Sequence, residues 1–353
     1  MTLKNFTIQK SVKLSAKAFT LIELLVVIAI IGILATLVIV SLGNSRAKAR
    51  DSKRLNDLKA MANALELYYA NNNQYPASIT PGQPLEANDI IYISKVPNNP
   101  TPRTDGDCPD SDYSYAVNAS GTSYAMGFCL GSDVGSVKAG INTATSQGGI
   151  GNFGLRGWWQ FNEGSGEVAL DSSGNGYHGT WNGTSVNRYG EGKAGTYAAY
   201  FNGLDDYVQL PNIGSMTSFT IMGWIRGDGD SLTGATGYNS FTSGRLLYTV
   251  SDSLSGGRRM LAQVGAGSHF SDSLMPRGQY HHIAYVYENS LSQWYINGVA
   301  NTTNAGAVVF PSSPRIGSDG SIHYRMNGLI DDVRIYNRVL SAEEIEAIYE
   351  IKN

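Results

Sequence analysis

Glu23 stands directly before an almost uninterrupted apolar run, Leu24–Leu42. An ionisable group bordering such a run points to a partner of opposite charge, unless it lies near enough to an interface to reach water. Asp105, Asp107, Asp110 and Asp112 crowd one loop. They are oxygen donors of the kind calcium takes, but the glycine and terminal glutamate of an EF-hand are missing, and a solvated acidic loop has the same appearance. Asp331 sits in GLIDDVRIY, where period two places it on one strand face with Leu329, Val333 and Ile335. A carboxylate in an apolar row needs either a cation or several donors. Of the five tryptophans, Trp181 in the loop GTWNGTS is best placed to stack on a sugar, and the others read as core. His281 and His282 fall within one strand and form no ligand set. Cys108 and Cys129 are too few for a disulfide scaffold or a four-cysteine zinc site.

The elements that must carry these residues are unevenly distributed along the 353 residues. Only Gly32 and Gly43 precede Gly82, and no proline precedes Pro76, so the first seventy-odd residues lack strong helix breakers. Residues 1–18 contain four lysines and no acid. Residues 19–42, as a helix rising about 1.5 Å per residue, would span roughly 36 Å, enough for a ~30 Å hydrocarbon core. No small-residue cleavage site follows the run, so a retained membrane helix is expected rather than a secretory signal peptide. Arg46, Lys48, Arg50, Lys53 and Arg54 then form a basic collar, suited either to lipid headgroups or to a solvated helix face. Leu55, Leu58, Met61, Ala62, Leu65 and Tyr69 recur at helical spacing and must pack on something. The segment Asn71–Pro76 ends the helix. The other 39 glycines punctuate short runs rich in Tyr, Val, Ile and Trp, which read as strands and turns. The formal charge of −3 argues against a nucleic-acid partner.

Residues 17–24, KAFTLIEL, followed by the apolar run, resemble the processing motif of type IV prepilins and pseudopilins. The resemblance implies a leader, residues 1–18, cut after Ala18 by a prepilin peptidase, with N-methylation of Phe19. It also implies that Glu23 pairs with the Phe19 amino group of a neighbouring subunit in a filament. Ala18 departs from the family, which usually has glycine there. Residues 19–72 are then the transmembrane and amphipathic pilin helix. Residues 73–141, with strand-like stretches IIYISKVP, YSYAVNA and SYAMGFCLG, are the small β head covering its stripe. Outside the cytoplasmic membrane Cys108 and Cys129 read as a disulfide, worth about 3 kcal/mol in the chain-entropy model, or else as two buried thiols. Residues 142–154, NTATSQGGIGNFG, are small, uncharged and glycine-rich, and are expected to be a flexible linker.

From residue 155 to 353, nine or more short strands follow one another and argue a β-sandwich. Ser341-Ala342-Glu343-Glu344 is a capping box that starts a short closing helix. WQFNEGSG at 159–166, DSSGNG at 171–176, FNG at 201–203 and GLIDDVRIY at 328–336 resemble the laminin-G-like, concanavalin A-like jelly roll. The expected fold class is thus an α+β pilin-like module followed by an all-β jelly roll. The resemblance implies a structural calcium at the sandwich edge, held by Asp331 with Asn162 and Gly203; backbone N–H groups or an arginine would satisfy Asp331 equally. The alternating carboxylates of the related glucanases are absent, as are HExxH, GxSxG and a Walker loop, so no catalysis is expected.

The expected protein is a minor or tip subunit of a type IV pilus-type filament, displaying its jelly roll for adhesion to an extracellular glycan or protein. It would be a single-pass precursor in a bacterial cytoplasmic membrane before reaching the cell surface. The alternatives are a pseudopilin of a type II secretion or DNA-uptake machine and, less favoured, a membrane-tethered glycan hydrolase.

Overall fold

The computed structural model describes residues 21–106, 108–146, 149–228, 239–242, 247–251, 258–264, 267–271, 275–311, 314–318 and 325–352, without the side chains of 35–41, 239–270 and 352. It forms two compact units, one ending at Arg46 and one starting at Ala47.

Helix α1 runs Leu21–Asn72. In the first unit its large apolar side chains, from Leu21 through Leu34, are exposed. Among the described residues, no helix is long and apolar enough to cross a membrane. In the second unit the amphipathic stripe is covered: Leu58, Met61, Ala64 and Leu65 are buried. The helix ends where Asn73 adopts a left-handed φ of 54° and its N–H returns to the Tyr69 carbonyl at 2.8 Å. Asparagine tolerates that conformation better than most residues, which is why this polar run stops the helix.

The stripe packs on a four-stranded antiparallel sheet in the order Ser114–Val117, Tyr124–Leu130, Gly140–Thr145, Gly149–Ile150. Every residue of Tyr124–Leu130 is buried, as expected of a strand covered on both faces. One face carries Tyr124, whose ring meets Tyr75 at 4.7 Å. On the other face lies Gly127, where a Cβ would strike the Ala347 carbonyl oxygen.

The described residues of the expected linker 142–154, namely 142–146 and 149–154, are held in the fold rather than forming a flexible connection. Asn142–Thr145 belong to a buried strand paired with Ala125–Phe128, and Gly149–Ile150 pairs with Ala144 and Thr145. The Asn152 amide donates to the Ile141 carbonyl, Arg338 Nε donates to the Phe153 carbonyl, and the Asn337 N–H donates to the Gly154 carbonyl. Small uncharged residues suit a buried strand and its turns as well as a linker, so the composition alone does not separate the two.

The sandwich has two sheets of eight strands. One runs Tyr189–Glu191, Tyr197–Asn202, Asn327–Tyr336, Phe219–Gly227, His281–Glu288, Leu291–Ile296, Val299–Ala305, with Leu155–Trp159 also pairing Asn327–Tyr336. The other runs Gly267–Phe270, Arg258–Val264, Leu247–Ser251, Asn239–Thr242, Arg315–Ile316, Tyr207–Gln209, Gly179–Asn182, Val168–Ala169. Trp159, Phe161, Trp181, Phe201, Phe219, Tyr285 and Trp294 fill the core between them.

Helix α2, Ala342–Lys352, begins at the expected capping box: the Glu344 N–H donates to Ser341 Oγ, and the Ser341 N–H to Glu344 Oε2. It does more than close the sandwich. Ile345, Ile348 and Ile351 share one apolar cluster with Met126 and Phe128 of the head and with Met222, Ala284, Val286 and Tyr336 of the sandwich. Ser111 and Ser114 hydroxyls donate to the Ile351 and Ala347 carbonyls. Head and jelly roll thus have a common core.

Candidate functional site

Ala18 and Phe19 lie outside the described residues. Glu23 is exposed in the first turn of α1, where the helix dipole favours a carboxylate.

Further along α1 three of the five collar cations, Arg50, Lys53 and Arg54, are paired within the chain, while Arg46 and Lys48 are exposed. Arg54 is fully buried; its Nη1 donates to Asp51 Oδ1 at 2.6 Å and to Asp105 Oδ2 at 2.9 Å, and its Nε to Asn99 Oδ1 at 2.8 Å. Arg50 grips Asp105 with two bonds, and Lys53 pairs with Asp57. Hydrogen bonding from Arg50, against the cost of burial and with help from Arg54, holds the Asp105 carboxyl below its usual pKa. Asp112 accepts from Arg103 Nη2 and from the Asn99 and Tyr113 N–H groups. In the acidic loop, then, Asp105 and Asp112 have arginine partners, Asp112 nine residues away in Arg103 and Asp105 in Arg54 and Arg50, 51 and 55 residues back, a distance at which sequence shows no pairing. The Cys108–Cys129 disulfide ties this loop to strand Tyr124–Leu130, with Cα atoms 5.7 Å apart.

In the sandwich, Asp331 and Asp332 lie where the neighbour of Asn327–Tyr336 changes from Tyr197–Asn202 to Leu155–Trp159. The pairing with Phe219–Gly227 shifts register at this point, and Asp332 has a left-handed φ of 51°. The bulge resets the alternation. Ile330, Val333 and Ile335 point into the sandwich core, so Asp331 does not share a face with Val333 and Ile335 as period two had suggested. Its Oδ2 accepts the N–H groups of Lys193 and Ala194 at 2.8 and 2.7 Å. Asn162 Oδ1 accepts those of Thr196 and Tyr197, so Asn162 and Asp331 hold the same turn. Gly203 follows the Asn202–Asn327 pair, where a Cβ would contact the Asn327 side chain. Among the described residues no group of three His, Cys, Asp or Glu is placed to hold a metal ion.

Trp181 is not a sugar platform. It is only 3% exposed, packed on Phe161, Phe201 and Tyr189, with the Arg188 guanidinium over its ring at 5.6 Å. A face already covered by a cation offers nothing to a ligand. His282 is also buried, between Trp224 and Tyr349, and burial pushes its pKa down to about 3.

Two features escaped the sequence reading. One is the clamp of Trp158, Asp332 and Arg334 at the seam with the head, for which the Asp-Asp doublet was the available signal. The other is a cleft of about 440 Å³ between segments 164–167 and 184–189 of the sandwich. It is lined mainly by polar side chains, with the charged pair Glu167 and Arg188 and the apolar Val186 among them, and these carry no hydrophobic pattern.

A long helix half-covered by a small disulfide-bonded sheet, joined to a two-sheet sandwich, defines a pilin-type module fused to a jelly roll. The comparisons agree. The prokaryotic N-terminal methylation motif matches residues 13–39, and the concanavalin A-like lectin/glucanases superfamily matches residues 201–346. Type II secretion system core protein G from Escherichia coli (strain K12) is 44% identical over 98 residues, 24% of this chain and 66% of that protein. The same protein from Klebsiella michiganensis is 39% identical over 97 residues, covering 24% and 68%. Through its N-terminal region the chain belongs to the type II secretion system core protein G family. It spans just under two thirds of the Escherichia coli relative. Domain 4 of AbnA, an extracellular arabinanase from Geobacillus stearothermophilus, superimposes with a TM-score of 0.44 and 22% identity, over 55% of this chain and 98% of that one.

Proposed function

We propose that this chain is made as a single-pass membrane precursor, cut between Ala18 and Phe19 by a prepilin peptidase, and N-methylated at Phe19. It then enters a filament of pilin or pseudopilin type, Glu23 pairing with the Phe19 amino group of a neighbouring subunit. The sandwich is carried outward as a non-catalytic binding domain. The observation that carries this reading is the methylation motif leading into a helix whose apolar side chains, Leu21 to Leu34, are exposed while its later turns are anchored in a head. Such a stripe needs lipid before assembly and other subunits after it.

Because the head and sandwich share a core, each copy brings the whole jelly roll rigidly with it. A tightly packed filament accommodates that bulk most readily at its tip or as a minor component. The similarity to core protein G favours a secretion-machine pseudopilin over an adhesive pilus. In that setting the sandwich meets cargo or envelope polymer.

Mass spectrometry after co-expression with a prepilin peptidase tests the reading. The expected species begins at N-methylated Phe19, and a persistent Met1 form would overturn it. Release of reducing ends from a polysaccharide panel by the purified chain would overturn the non-catalytic assignment.

A further inference from the structure

The displayed-domain reading leaves open which part of the sandwich meets a ligand. Trp181 is buried, and one outer sheet face is occupied by α2 and the head, through Met222, Ala284, Val286 and Tyr336. We propose that the cleft between loops 164–167 and 184–189 is a binding site for a neutral oligosaccharide; the proposal rests on the displayed-domain reading and names its ligand class.

The cleft has the chemistry of sugar recognition. Ser165, Thr184, Ser185 and Asn187 line it with hydroxyl and amide groups that can both donate and accept, matching the two-way hydrogen bonding of sugar hydroxyls. Tyr189 lines it too, and Tyr197 and Val186 are exposed beside it, apolar surface for the C–H faces of a pyranose or furanose ring. The volume of about 440 Å³ lies within the usual range for small-molecule sites.

The walls are fixed in advance. Glu163 accepts the Leu170 N–H at 2.7 Å, Asp206 accepts the Ser185 N–H at 3.3 Å, and Trp181 Nε1 donates to the Tyr189 hydroxyl at 3.2 Å. Gly164, with a left-handed φ of 68°, brings its backbone against the Tyr197 ring, where a Cβ would clash. A preformed site loses less entropy on binding.

The charge balance selects an uncharged ligand. Arg188 is the one cation among the residues lining the cleft, and three of its five N–H donors are engaged: Nη1 with Glu167, Nε with the Ser185 carbonyl and Nη2 with the Gly183 carbonyl. Its guanidinium is also stacked on Trp181. Glu167 lines the same cleft and offsets that charge, so an acidic sugar gains no net attraction there.

The test is thermophoretic titration of the full chain in detergent with xylotriose, maltotriose, cellotriose, mannotriose and trigalacturonate. Asn187→Ala and Ser165→Trp are compared with the parent, both at exposed positions and both checked for an unchanged Tm. The expected result is binding of a neutral trisaccharide that either substitution weakens by about tenfold or more, a loss of about 1.4 kcal/mol. Neutral binding unaffected by both substitutions would overturn the cleft while leaving the displayed domain standing. Absence of binding, or a preference for trigalacturonate, would overturn the neutral-sugar assignment. Neither result touches the Phe19 mass measurement, so failure here and failure of the filament reading are distinguishable.

Discussion

The Trp158 indole donates to Asp332 Oδ1 at 2.6 Å across 174 residues of sequence. Arg334 lies over the same ring at 4.4 Å, pairs with Asp332 Oδ2 at 3.2 Å and reaches the Ile141 carbonyl in the head. All three side chains are buried. The ion pair thus sits at the seam between the two folds, where its donors fix how they dock.

Removing one partner of a buried pair strands the other charge. Asp332→Ala should therefore cost about 3–5 kcal/mol in urea unfolding, whereas Trp158→Phe, which deletes one hydrogen bond, should cost about 1 kcal/mol. Equal costs would mean that Asp332 acts only through the indole.

Gly140 has a left-handed φ of 95°, and a Cβ there would run into the Trp158 ring. Gly140→Ala should destabilise by at least about 1–3 kcal/mol, through strain and overpacking together. It should also open residues 146–154 to limited proteolysis. An unchanged Tm and cleavage pattern would show that the seam yields without cost.

Burial lowers the pKa of His282 to about 3 from an ordinary 6.5. In that window the unfolded chain binds a proton that the folded one refuses, so stability falls as pH drops from about 6.5 toward 3, by up to ~1.4 kcal/mol per pH unit. His282→Phe should flatten this part of the stability-versus-pH curve. Superimposable curves would exclude His282 as the source.

The Asp105 carboxyl is held below its usual range, chiefly by Arg50. It therefore contributes stability above the unfolded carboxyl pKa of about 3.9, and that contribution is lost as pH falls through the lower folded value. Asp105→Asn should lower Tm at pH 7, and the difference from the parent should shrink in strong acid. A constant difference from pH 7 to the acid limit would contradict the assignment.

The disulfide encloses a separation of 21 residues. Replacing both Cys108 and Cys129 by alanine should cost about 3 kcal/mol, read as a lower urea midpoint of the whole chain rather than of a separate head transition. The single transition is expected because the apolar cluster is shared between head and sandwich. Two resolved transitions would argue that the folds are energetically independent.

What the sequence determined by itself is what contiguous residues encode. The processing motif around Ala18 and Phe19, the apolar run after Glu23, the helix stop at Asn71–Pro76 and the Ser341–Glu344 capping box are local patterns. Their physics acts within a few residues, so they were legible in order along the chain. The alternation of short strands and glycine turns likewise announced a sandwich.

Tertiary structure decided everything that depends on partners far apart in the chain. Arg54 looked like one of five collar cations until Asp105, 51 residues away, came to it in a buried setting. Asp331 needed either a cation or several donors on its sequence alone, and only the fold brought it a bulge and N–H donors from a turn 137–138 residues earlier. Trp181 looked like a sugar platform until Arg188 and the core covered it. The segment 142–154 looked like a linker because small uncharged residues suit open solvent and a tight seam equally, and only the landing of α2 on the head decides which. Burial is a property of the assembled chain, and composition cannot say which side of it a residue will fall on.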